Sequence, residues 1–132
     1  MGNVRTVRAE WRGLPAAVQK RVTDIGVELH RHVLGDDLFL LALTQLPPGT
    51  PAREVLEAEG VAADIVLARI RTRGDGGQSA KFGMTYAPAC YLMHGRADAF
   101  AAALGDGTIT PEHVLLAMIW DGGGTASQMI WH

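Results

Sequence analysis

Glu112 follows Thr110-Pro111 at a strong helix start, with an N-cap hydroxyl, proline at the first helical position and an acid in the first turn. The backbone N–H groups at such a start attract anions, and a carboxylate beside them attracts N–H donors. The other chemistry-bearing residue types lack partners at useful spacing. His30 and His32, if helical, point about 200° apart and cannot chelate one ion. His94, His113 and His132 have no cysteine or carboxylate at ligand spacing except the adjacent Glu112, so histidine at the surface or core edge is expected, with no metal. Cys90 sits in an alanine-rich run with no neighbouring base, which reads as a buried inert thiol. The glycine-rich runs Gly74–Gly77 and Gly122–Gly124 carry no following lysine, so no G-x-x-x-x-G-K-[ST] phosphate loop exists and ATP hydrolysis by this chain is excluded. With no acid/base pair, activated nucleophile or cofactor fingerprint, no enzyme and no cofactor are expected. Recognition is what remains.

Composition narrows the partners. The 132 residues make one domain by length, and a formal net charge of −2 gives no general reason to bind nucleic acid. Arg5, Arg8 and Arg12, then Lys20 and Arg21, are the local basic concentration and read as solvated helix surface. The richest apolar run, Leu38–Leu43, falls far short of the roughly 18 residues of a membrane helix, so no membrane partner is expected. A single cysteine cannot form an internal bridge, and no signal-peptide core opens the chain, which points to a reducing cytoplasmic compartment.

The elements that position these residues are helices. Leu14, Val18, Val22, Ile25, Leu29 and Val33, spaced by three or four, predict one amphipathic helix from Pro15 to Gly35. Further helices are expected over Asp36–Gln45, stopped by Pro47-Pro48-Gly49, over Pro51–Glu59 with Gly60 as C-cap, and over Ala63 to about Arg71. Gly74 to Ser79 reads as a linker. Beyond it, Pro88–Leu104 and Glu112–Trp120 are helical, Gly122–Gly124 is a break, and Thr125 opens a helix still running at His132. No alternating run is long enough for a strand, so the class is all-α.

The chain repeats itself. Leu40-Leu41-Ala42 recurs as Leu115-Leu116-Ala117 and Gly49-Thr50 as Gly124-Thr125 at one constant offset, with Asp37 and Glu112 opening the two blocks. Repeat 1 spans about 14–73, the linker 74–85 and repeat 2 about 86–132. Leu40 and Leu41 should be buried as Leu115 and Leu116 are. In this register His132 aligns with Glu57, so repeat 2 is expected to lack its last helix. That leaves Ala126, Met129 and Ile130 to be covered by the segment Arg5–Trp11, through Val4, Val7 and Trp11, or by a second protomer.

Tyr86-Ala87-Pro88-Ala89, Leu104-Gly105 and Ile109-Thr110-Pro111-Glu112-His113-Val114-Leu115-Leu116-Ala117 together resemble the second half of the Clp N-terminal (Clp repeat) domain. Residues 21–73 look like its first half, keeping Gly35, Asp37, Leu40, Leu41, Leu43, Gly60 and Val61. The resemblance implies an all-α fold of two four-helix repeats related by a pseudo-twofold axis, placed ahead of AAA+ modules in Clp chaperone ATPases. It further implies a non-catalytic domain of protein quality control that recognises substrates or adaptors, with a Clp ATPase in cis or in trans. Some members recognise phosphoarginine, and some are targets of cyclic-peptide antibiotics; a stand-alone Clp repeat protein that sequesters such peptide-like molecules is the alternative.

By the same resemblance Glu112 would meet the guanidinium-derived N–H groups of a phosphoarginine, with backbone donors nearby for its phosphate. Thr110 and Pro111 belong to that site. Pro111 stands where the family has threonine and removes a hydroxyl and an N–H donor. Asp37, the counterpart of Glu112, lies beside Asp36, and two carboxylates should repel a phosphate. His113 matches the family's histidine and reads as structural. Trp120, where the pattern expects solvent, is a candidate partner contact, and with Met118 it would suit an apolar ligand.

Overall fold

Val18, Val22 and Ile25 form the buried face of α1 (Ala16–Glu28), as their spacing requires, and Leu14 is buried just ahead of it. The computed structural model describes residues 14–31, 33–73, 85–121 and 130. The expectations for the Arg5–Trp11 cover, the linker at 74–84, and the break and third helix beginning at 122–129 lie outside the described residues.

Helix α1 stops well before Gly35, contrary to the apolar spacing. Leu29 caps it, and His30 turns to a positive φ of 56°. The His30 N–H then donates to the Val27 carbonyl at 3.2 Å and the Arg31 N–H to that of Gly26 at 2.8 Å. This pair of bonds is a Schellman ending, unforeseen because histidine rather than glycine occupies the left-handed position. Val33 continues the three-four spacing but belongs to a strand. The two-residue β1 (Val33–Leu34) pairs in parallel with β2 (Thr85–Tyr86), Val33 opposite Thr85. The expectation of no strand is thus corrected; two residues are too few to show alternation. The class remains all-α.

Between the strands lie α2 (Asp36–Thr44), α3 (Pro51–Ala58) and α4 (Ala63–Arg73); after β2 come α5 (Pro88–Ala103) and α6 (Pro111–Asp121). All nine residues of α2 are buried, because every other described helix packs on it. Cys90, Met93, Ala97 and Ala101 are the buried residues of α5, and α6 is the helix it packs on most extensively.

The duplication is visible in the backbone. Helix α1 ends at Glu28 and α5 at Ala103; α2 begins at Asp36 and α6 at Pro111, all at the offset that relates Leu40 to Leu115. The cap repeats too. Gly105 takes the place of His30 with φ 77°, and the bonds Gly105 N–H to Ala102 and Asp106 N–H to Ala101 match those around His30. Leu40 and Leu115 are both buried. Leu41 and Leu116 differ: Leu41 is 2% exposed and Leu116 is 40% exposed, correcting the expectation that both are core. The cause is local. Helix α4 packs on α2, whereas the described helices around α6 are α2, α3 and α5, with none in the place of α4.

Candidate functional site

The start of α3 is satisfied from the other repeat. Thr50 precedes it, but its hydroxyl donates to the Pro47 carbonyl at 2.7 Å and caps nothing in its own helix. The Ala52 N–H, one of the orphan donors of a helix start, instead donates to Glu112 Oε2 at 3.0 Å. Glu112 is half-buried in the first turn of α6. Its carboxylate therefore spans the two repeats.

Thr110 and His113 close the start of α6 on itself. The Thr110 N–H donates to His113 Nδ1 at 2.9 Å, while the His113 N–H donates to the Thr110 hydroxyl oxygen at 3.4 Å. This is a capping box with histidine in the usual place of glutamate. Because Nδ1 accepts, the ring proton is assigned to Nε2, which donates to Asp106 Oδ2 at 2.9 Å. His113 is 3% exposed. With Pro111 lacking an N–H, this start offers an anion fewer open donors than its sequence suggests.

Asp37 belongs to a separate buried cluster. Its Oδ2 lies 3.5 Å from Arg31 Nη1 and its Oδ1 accepts the Leu38 N–H at 2.9 Å. A Cβ on Gly35 would come within 2.7 Å of Asp37 Oδ1, so this carboxylate needs glycine beside it. Arg31 was missed in the sequence because it lies outside the basic concentration, and ion pairing across a turn leaves no periodic signal. It neutralises part of the charge expected to repel a phosphate. Cys90 adjoins the cluster, its Sγ 3.3 Å from the Leu34 carbonyl oxygen. Burial pushes its thiol well above the ordinary range, and the charges of Asp36 and Asp37 push it further. Such a thiol is no nucleophile.

Trp120 is different. Glu112, Leu116 and Trp120, spaced by four, form one row along α6, and Trp120 is 72% exposed. Its ring meets Phe100 of α5 edge-on, centroids 6.0 Å apart at 77°. Four residues beyond Phe100, Leu104 is 63% exposed at the end of α5. Met118, expected to share this surface, is buried at 2% because it points into the core. The site is thus an apolar face on α5 and α6 with a carboxylate at one end. Lys20 and Arg21 pair with Asp24 and Glu28 on α1. Among the described residues no cluster could hold a metal ion, and none of their helices is long and apolar enough to cross a membrane.

No family model and no curated protein matches the sequence. In three dimensions the chain is similar to the N-domain of ClpV from Vibrio cholerae, with a TM-score of 0.71 at 15% identity over 96% of this chain and 86% of that one. The fold is therefore that of a Clp N-terminal domain.

Proposed function

We propose that this chain is a non-catalytic recognition domain of the Clp type, binding peptides or proteins as substrates or adaptors for a quality-control ATPase in cis or in trans, in a cytoplasmic setting. The observation that carries this reading is the exposed row Leu116–Trp120, on a fold whose first repeat buries the Leu41 counterpart of Leu116. Exposed tryptophan next to aliphatic side chains is the composition of a protein contact. Titrating the full chain with reduced, carboxymethylated lactalbumin, a permanently unfolded polypeptide, tests it. Binding that is lost in Trp120→Ala is expected; binding unaffected by that change contradicts the reading.

Phosphoarginine is the finer proposal. To engage it, Glu112 would have to exchange its bond to the Ala52 N–H for the guanidinium-derived donors, and Pro111 supplies no N–H to the phosphate. Any binding should therefore be weak. Calorimetry should show it reduced in Glu112→Ala and strengthened in Pro111→Thr; no change in either removes this part. The apolar face also suits a second reading, sequestration of a hydrophobic cyclic peptide, favoured by the exposure of Trp120 against Phe100. Such a peptide should compete with the unfolded polypeptide.

A further inference from the structure

We propose that His113 makes the start of α6 a pH-sensitive joint between the repeats: protonation of its ring frees the Thr110 N–H and loosens the first turn, and with it the Glu112 bond to α3.

The ring is held between two partners of opposite kind. On one side Nδ1 accepts the Thr110 N–H at 2.9 Å, and on the other Nε2 meets Asp106 Oδ2 at 2.9 Å. Both bonds fit a neutral ring with its proton on Nε2. A second proton enters at Nδ1, where it points at a backbone N–H that offers no lone pair. The bond from Thr110 must then break. Thr110 also supplies the new acceptor, since its Oγ1 lies 3.0 Å from the same nitrogen. The charged ring thus exchanges the N–H···Nδ1 bond for Nδ1–H···Oγ1, and its contact with Asp106 becomes an ion pair. Two costs fall on the turn. The half-buried Thr110 N–H loses its acceptor, and positive charge arrives at the positive end of a helix.

The ring cannot shed these costs by swinging into water, because His113 is 3% exposed. The turn has to move instead. Glu112 lies in that turn, next to His113, and its Oε2 accepts the Ala52 N–H of α3 at 3.0 Å. The first repeat has no such joint: at the repeat offset Leu38 stands in place of His113, and Asp37, in place of Glu112, pairs with Arg31.

The elements packed on α6 bring further titratable or charged groups. These are Cys90, Tyr91, His94, Arg96 and Asp98 on α5, Asp36 and Asp37 on α2, and Arg53, Glu54 and Glu57 on α3. The polar partners of the His113 ring are Thr110 and Asp106, and Arg53 pairs with Glu57. Histidine is the side chain type whose charge ordinarily changes between about pH 5 and 8, so His94 is the neighbour whose titration must be separated from that of His113.

Amide hydrogen exchange of the isotope-labelled full chain at about pH 7.5 and about pH 5.5, corrected for the intrinsic exchange rate, tests the joint. Protection of both Thr110 and Ala52 is expected to fall about fivefold at the lower pH, the scale of one hydrogen bond. His113→Gln keeps a capping-box side chain that does not titrate, so both amides should hold the same protection at the two pH values. His94→Gln should keep the wild-type fall, and circular dichroism checks that both variants are folded. Should His113→Gln not fold, ring nitrogen shifts of the wild-type chain decide. His113 must carry its proton on Nε2 at the higher pH and gain the second over the interval in which Thr110 loses protection. Protection that is equal at the two pH values, or a fall that persists in His113→Gln or vanishes in His94→Gln, would overturn the proposal. So would a response of Thr110 with Ala52 unmoved, or a His113 ring still neutral at the lower pH.

Discussion

Glu112 reaches a donor 60 positions away in sequence, and the bond it makes ties the first turn of α6 to the first turn of α3. Replacing it with alanine leaves the Ala52 N–H without its acceptor, in a helix whose own N-cap residue bonds elsewhere. The expected loss is about 1 kcal/mol, as for other caps, with Glu112→Gln keeping part of it; urea unfolding of the two variants measures this. Cys90 gives a second handle at this scale. Its thiol is held neutral by burial and by nearby carboxylates, so the folded state keeps a proton that the unfolded chain releases above its ordinary value of about 8.5. Stability should be unaffected below that pH and fall as pH rises through and beyond it, and Cys90→Ala should flatten the slope. A slope unchanged by the substitution would mean that another group causes it. That Glu112 opens a helix and accepts from N–H donors was legible from Thr110-Pro111-Glu112, but the donor it meets was not. A backbone N–H carries no residue signature, and the bond joins two separate repeats.

Among the elements, the paired leucines of α6 separate core from surface. Leu115→Ala should cost about 2 to 5 kcal/mol, the range for an aliphatic side chain removed from a packed interior, whereas Leu116→Ala should stay within about 0.5 kcal/mol, as surface changes do. Similar losses from both would show that Leu116 is covered. His30 makes a second contrast with its counterpart Gly105. A residue with a side chain at φ 56° carries conformational strain that glycine avoids, so His30→Gly should raise the thermal midpoint by an amount equivalent to up to about 1 kcal/mol. The helices were readable because proline, glycine and apolar spacing punctuate them clearly. The end of α1 was not, since Leu29 and Val33 continue the helical spacing past a turn that histidine, not glycine, makes. The short β1–β2 pairing escaped for a related reason: it depends on a partner far along the chain and on too few residues to form a pattern.

At the scale of the whole molecule, two copies of a helical unit share a core in which every other described helix packs on α2, while Leu116 and Trp120 of α6 stay exposed. The duplication was legible in the leucine blocks, and so was the acid that opens each. The inequality of the copies was not, because Leu41 and Leu116 are the same residue type in the same register and their burial differs through packing that leaves no sequence signal. Trp120 drew notice as an aromatic where solvent was expected; its partner Phe100 came only from the packing of α5 on α6. The central claim is that this open side of α6 is a recognition surface. Backbone amide shifts of the isotope-labelled chain, followed during titration with the unfolded polypeptide, test it most directly. The account predicts shifts concentrated at Phe100, Leu104, Leu116 and Trp120; shifts confined to α1 and α4, or none, would contradict it.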